Sequence, residues 1–367
     1  MSSVAGEPGS VGDALLARTA ELVAIPSVSH HEHEMADAVE AALRACPWIE
    51  VHRSEDDIVA RTELGHSHRL VLAGHLDTVA PAAGHEHVIV QGDRLVGLGA
   101  ADMKGGIAVF LHLAEQVPEP AVDLTWSFNV CEEVAAHHSG LRRMWAEHPE
   151  LLEADAAIVG EPTDGVVEAG CQGTLRISVG LRGVRAHTSR PAEGRNAIHR
   201  LAPLLGAIGS YVGRTPELDG CRYMETLQAV AVEGGVAGNV VPDSASLLVN
   251  HRFAPDRDAA TAVASVRELL EPWLEEGDTF DVVEVVAGAP PHLDDPLLGN
   301  LVARSGRPPR AKLGWTDVAT FWSHGVPAAN FGPGDPLVAH TAGEYVTAGQ
   351  LERAYAALHR LVTEPLS

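Results

Sequence analysis

The run Val71-Leu72-Ala73-Gly74-His75-Leu76-Asp77-Thr78-Val79 constrains this chain most. An apolar stretch reaches a glycine, then a histidine, with an aspartate two residues on. Read as a buried strand, it presents His75 at its carboxyl end, the edge where open α/β sheets bind ligands. Imidazole is a common metal ligand, and its second ring nitrogen needs a partner to fix the tautomer. Asp77 has the chemistry to be that partner. A lone His-x-Asp is equally a strand-end turn, so the metal reading depends on further ligands elsewhere.

Three more junctions of the same kind follow. Leu95-Val96-Gly97-Leu98-Gly99-Ala100-Ala101-Asp102 leads into a helical face made by Met103, Ile107, Phe110, Leu111 and Ala114. That spacing predicts Asp102 at or near an N-cap, either as an ordinary cap or as a carboxylate aimed off the sheet edge. Leu124, Trp126, Phe128 and Val130 alternate, which predicts a strand with one apolar face. It runs into Cys131-Glu132-Glu133-Val134, with a helix expected from there to about Ala146. Adjacent carboxylates suit a solvated helix start, but also a metal ligand beside a proton carrier. Ala156-Ala157-Ile158-Val159-Gly160-Glu161 again closes an apolar strand with a glycine and an acid. One such junction means little. Four in succession, each bearing a metal-competent group, point to a metal site.

The chain has 367 residues, enough for two or three domains, and 46% of them are hydrophobic, enough for a full core. A formal net charge of -24 argues against nucleic acid or an anionic membrane as partner. Cys46, Cys131, Cys171 and Cys221 form no C-x-x-C pair and read as buried, reduced thiols. The opening Met1-Ser2-Ser3-Val4-Ala5-Gly6-Glu7 lacks the pattern of a signal peptide, and no apolar run reaches membrane-spanning length. A cytoplasmic protein is expected.

Residues 13–25 read as a helix ended by Pro26. His30-His31-Glu32-His33 looks like a metal motif, but it enters a helix expected from Met35 to Leu43 and reads as surface. A polar, histidine-bearing loop follows Val79. Beyond Gly173 the pattern changes to strand, helix (about Arg195 to Val212), strand (Ala229 to Glu233), strand (Ser244 to Phe253), helix (about Asp258 to Leu274) and strand (Phe280 to Val286). This β-α-β-β-α-β order resembles a ferredoxin-like layer inserted into the first domain. The predicted fold is therefore α/β, with a catalytic domain of residues 1–172 and 290–367 around a central mixed sheet. The inserted α+β domain takes residues 173–289. Asp317 is expected at a helix start, Val326 to Phe331 as a strand, and a last helix runs from about Thr347 to Thr363. His340-Thr341 lies in the loop before that helix.

The ordered set His-x-Asp, Ala-Ala-Asp-Met-Lys-Gly-Gly, Glu-Glu, Gly-Glu-Pro-Thr and a late His-Thr resembles the dinuclear zinc peptidase family of glutamate carboxypeptidases, aminoacylases and acetylornithine deacetylases. The resemblance covers essentially the whole chain. It implies that His75 and Glu161 hold one zinc, that Glu133 and His340 hold the other, and that Asp102 bridges them. Glu132 would be the general base and Asp77 would orient His75. Zinc ions roughly 3.5–4 Å apart can share a carboxylate and a water, and zinc lowers that water's pKa to about 7. Cobalt or manganese also suit oxygen and nitrogen ligands. Gly183-Val184-Arg185-Ala186-His187-Thr188 implies that His187 reaches across a homodimer interface to steady the oxyanion, with the inserted domain serving as lid and dimerisation element.

Within the family, four stretches resemble the actinobacterial branch that removes succinyl groups from a diamino-dicarboxylate: 166–175, 234–243, 252–257 and 314–319. That branch feeds lysine and cell-wall synthesis. The resemblance implies that Arg252 grips a substrate carboxylate with two parallel hydrogen bonds, and that Asn239 and Thr316 add further hydrogen bonds. Arg252 also reads as a solvated strand arginine. Cys171-Gln172 stand where other branches carry an arginine pair, so a second carboxylate contact does not transfer. The partner expected is a small N-acyl amino acid, with acetylornithine as the rival substrate. A serine hydrolase is disfavoured, since no G-x-S-x-G elbow is present.

Overall fold

The computed structural model describes residues 10–81 and 87–366. The opening Met1–Glu7 stretch and part of the loop after Val79 lie outside the described residues. The chain forms two compact units. One takes the described residues of Met1–Gly170, Pro291–Arg310 and Thr316–Ser367; the other takes Cys171–Pro290 and Ala311–Trp315.

The first unit is built on an eight-stranded mixed sheet. Its order is Glu50–Ser54, Asp57–Arg61, Asp123–Asn129, Arg69–His75, Ala156–Val159, Ala328–Asn330, Glu168–Ala169 and Arg310–Ala311. Arg69–His75 lies in the interior, parallel to both Asp123–Asn129 and Ala156–Val159. Parallel strands covered on both faces need apolar side chains throughout. Leu70 to Leu72 are accordingly fully buried, and His75 closes the strand. The same rule corrects the alternating reading of the next strand. Every residue of Asp123–Asn129 is buried, Thr125 and Ser127 included, because helices cover both faces.

Helices pack on this sheet through the expected apolar stripes. Val11–Val23 starts two residues before its predicted start, where Ser10 and Asp13 form a capping box. Ala348–Thr363 opens on a second one, from Thr347 and Gln350. Asp102 is not an N-cap. The helix proper is Gly105–Gln116, and the preceding turn Ala100–Lys104 holds Asp102 outside helical angles. Buried Glu344 accepts the Ala101 and Asp102 N–H groups at 2.9 and 3.0 Å, which holds this turn away from the helix. The helix expected directly after Glu133 is also absent. A single tight turn at Ala136–His138 precedes a helix at Gly140–Glu147, capped by Ser139. His33–Arg44 is helical as its spacing suggests, but Glu32 is buried, so the His30–His33 stretch is not wholly surface.

The second unit is a four-stranded antiparallel sheet in the order Thr226–Gly234, Ser244–Phe253, Gly173–Arg182, Thr279–Val286. Leu175, Ile177, Val179, Leu247, Val249 and Phe253 pack with residues of the helices Leu201–Gly209 and Ala259–Leu270. This is the ferredoxin-like layer the order implies. Its first helix is shorter than the predicted Arg195 to Val212. Arg195 exchanges both main-chain hydrogen bonds with Val184, at 2.8 Å each, so it cannot enter a helix. Asn196 then turns the chain by accepting from Ile198 and His199 N–H.

Candidate metal centre

Three strand ends, the turn Ala100–Lys104 and one loop of the first unit bring the predicted metal-competent groups together. His75 ends its strand, and its Nε2 lies 3.1 Å from Asp102 Oδ1 and 3.9 Å from Glu161 Oε1. His340 Nε2 lies 2.7 Å from Glu133 Oε1 and 3.3 Å from Asp102 Oδ2. Asp102 thus faces one imidazole with each oxygen. His75, Asp102 and Glu133 alone meet the spacing of a single-ion group among the described residues.

The donor chemistry fits metal ions. His75 Nδ1 faces the Asp77 main-chain oxygen at 3.0 Å and Asp77 Oδ1 at 3.4 Å, both acceptors, so Nδ1 carries the hydrogen. The Nε2 lone pair then points at carboxylate oxygens, an arrangement that requires a proton or a cation between them. Buried charges of one sign persist only when paired or coordinated. Asp77, Asp102 and Glu161 are buried, with Glu132 and Glu133 beside them. Without a metal, protons carry that burden. Burial works against a charged His75, yet Asp102, Asp77 and Glu132 hold its pKa well above the ordinary range. Asp102 and then Glu133 raise His340 to about 10.

Glu132 differs from Glu133. Burial pushes its pKa well above the usual carboxylate range, and Glu161, Asp317 and Glu133 add to this against the opposing pull of His75. It is a carboxyl group poised to hold a proton. Burial likewise raises Asp317 to about 6, against His75 and the Thr320 hydroxyl, which donates at 3.2 Å. Asp77 does more than orient His75. Its carboxylate accepts Ser29 Oγ at 2.7 Å and the Glu132 and Glu133 N–H groups at 3.1 Å each. It pins both acids to the strand end. Ser29 and Glu344 were invisible in the sequence, because isolated serine and glutamate carry no motif.

Thr316 is buried in the first unit and hydrogen-bonds Asn330 Oδ1 at 2.8 Å. The other expected substrate contacts belong to the second unit. His187 is exposed, with Nδ1 2.7 Å from Ser189 Oγ, and it pairs with Val240, the neighbour of Asn239. Arg252 is half-buried on its strand; burial and then Arg176 lower its pKa. Among the described residues its guanidinium has no hydrogen-bond or ion-pair partner, whereas Arg176 is paired to Glu284 at 2.9 Å.

The model of peptidase family M20/M25/M40 matches residues 71–364. A Mycobacterium tuberculosis protein named for succinyl-diaminopimelate desuccinylase is 49% identical over 346 residues, covering 93% of this chain and 96% of its own. The Corynebacterium glutamicum succinyl-diaminopimelate desuccinylase is 43% identical over 352 residues, covering 94% and 95%. A tripeptidase of Staphylococcus aureus shares the fold with a TM-score of 0.79 at 22% identity, covering 96% and 97% of the two chains.

Proposed function

The chain belongs to peptidase family M20/M25/M40, and on that premise we propose that it hydrolyses N-succinyl-L,L-2,6-diaminopimelate to succinate and L,L-diaminopimelate. The observation that carries the reading is near-full-length identity of 43–49% to proteins named for that activity, in a chain that also assembles the donor group. The proposed cofactors are two zinc ions, one on His75 and Glu161, the other on Glu133 and His340, with Asp102 between them. When bound, they would polarise the scissile carbonyl and acidify water.

The chain's own residues account for the proton movements. Glu132 takes a proton from the attacking water and gives it to the departing amine, so that amide plus water becomes carboxylate plus amine. Its raised pKa suits holding that proton between the two transfers. Asp77 keeps Glu132 in place through the main chain. Arg252, with no carboxylate partner among the described residues, suits a substrate carboxylate, while Asn239 and Thr316 supply hydrogen bonds. His187 would steady the oxyanion from a partner copy, which makes the protein a homodimer with the inserted domain as lid. The proposed setting is the cytoplasm; no described helix is long and apolar enough to cross a membrane.

The test is succinate release from the zinc-loaded protein, with N-acetylornithine run in parallel. Glu132→Ala should lower turnover by about 100- to 10,000-fold while metal content stays unchanged. Turnover of N-acetylornithine alone would replace the succinyl reading with a deacetylase.

A further inference from the structure

The sheet of the second unit has one covered face and one open face. Along Gly173–Arg182 and Ser244–Phe253, Leu175, Ile177, Leu247, Val249 and Phe253 turn to the helices. The residues between them face the other way, so Arg176 and Arg252 share the open face. The register sets Asn250 opposite Arg176 and Thr174 opposite Arg252, which makes the two arginines diagonal neighbours. Side chains so placed start about 7–8 Å apart, within reach of one another when long. On the other side of Arg176, Glu284 stands directly opposite it on Thr279–Val286. The ion pair between those two is one-sided. Arg176 Nε and Nη2 both donate to Glu284 Oε2, so Glu284 Oε1 accepts nothing among the described residues. Elsewhere in this unit Arg185, Arg195 and Arg200 engage both oxygens of Asp243, Glu275 and Asp278. The Glu284 side chain is only 22% exposed, where an unbound anionic oxygen costs more than at the surface. Arg252 is likewise without a partner among the described residues, and Glu284 is near enough to oppose the lowering of its pKa by burial and by Arg176. The open face therefore holds an idle guanidinium and an idle carboxylate oxygen, on either side of Arg176.

We infer that Arg252 and Glu284 together bind the unacylated end of the substrate as an α-amino-acid zwitterion, Arg252 taking the carboxylate and Glu284 Oε1 the ammonium. The assignment rests on the reading that the substrate is a succinylated diaminopimelate, whose far end carries both charges on one carbon. A guanidinium offers a carboxylate two parallel N–H donors. An ammonium has three donors and no acceptor, so it needs an oxygen that Arg252 cannot supply. Arg176 is a positioning residue: it holds Glu284 by one oxygen and leaves the other for the ligand. Glu284 thereby makes the second amine a condition of good binding. An acidic chain that lacks the amine leaves Oε1 unpaired and brings its own negative charge close to it.

The test compares N-succinyl-L,L-diaminopimelate with N-succinyl-L-2-aminopimelate, which keeps both pimelate carboxylates and lacks the second amine. Succinate release by the zinc-loaded protein gives kcat/KM for each substrate, and the ratio of the two does not depend on the folded fraction of a sample. The unaltered protein should favour the diamino substrate by about ten-fold or more, the usual strength of a hydrogen bond between charged groups. Glu284→Gln should bring the ratio to within about three-fold of unity, since a neutral amide holds an ammonium weakly. Arg252→Ala should lower kcat/KM for both substrates, because both carry the carboxylate. Equal kcat/KM for the two substrates in the unaltered protein overturns the inference. So does a preference that survives Glu284→Gln, or undiminished turnover of both in Arg252→Ala. Absence of succinate from the diamino substrate with the unaltered protein is a different failure: it removes the succinyl reading itself, and the inference with it.

Discussion

Glu344 shows how one residue can set a site without touching the chemistry. Its single oxygen accepts two main-chain N–H groups, and those bonds hold Asp102 where it faces both His75 and His340. Glu344→Ala strands two buried donors, at about 1–3 kcal/mol each. Thermal unfolding should register that loss, and metal affinity should fall with it because Asp102 is released. Glu344→Gln keeps an acceptor oxygen and should retain most of both. Equal damage from the two variants would mean that charge, rather than the acceptor, is what matters. Residues such as His75 were legible because four successive junctions each carry a metal-competent group, which a single strand-end histidine would not have shown. Glu344 was not, since its importance lies in which two amides its fold neighbours leave unpaired.

At the scale of elements, the helix Gly105–Gln116 packs backbone to backbone against the end of the strand Ala156–Val159. A β-carbon at Gly106 would run into the Gly160 carbonyl oxygen. Gly106→Ala should therefore destabilise the protein by about 1–3 kcal/mol, the usual cost of overpacking, although alanine favours helices. Chemical denaturation measures it; a neutral or stabilising result would mean that the helix can shift outward. In the second unit, the Arg200 guanidinium grips Asp278 at 2.8 and 2.6 Å, and Arg182 and Glu275 N–H add to it. Burial raises the Asp278 pKa, but these donors outweigh it and hold the carboxyl at about 2. A depressed folded pKa contributes stability above the unfolded value of about 3.9, and that stability is lost as pH falls toward 2. The loss amounts to about 2 kcal/mol. Unfolding curves between pH 5 and 2 should flatten correspondingly in Asp278→Asn. Element types were legible from periodicity, but several boundaries were not. The helix predicted from Arg195 fails because Val184 claims Arg195's backbone, a pairing that joins separate segments.

For the whole molecule, the clustered carboxylates of the metal centre couple metal binding to folding. Ions that bind only the folded chain stabilise it by about 2.7 kcal/mol at a hundred-fold excess over Kd. Chelation should lower Tm, and zinc should restore it in a concentration-dependent way. A Tm indifferent to chelator would mean that protons alone neutralise the cluster. The sequence by itself determined the α/β class, the ferredoxin-like insertion and the identities of the metal-competent residues, because strand period, strand ends and residue chemistry are local properties. Only the tertiary structure decided that Asp102 faces two imidazoles, that Asp77 braces the Glu132-Glu133 pair, and that Glu32 is buried against Cys131. Those facts depend on distances between residues far apart in the chain. Such distances follow from how the sheet is ordered and covered, which no local pattern encodes.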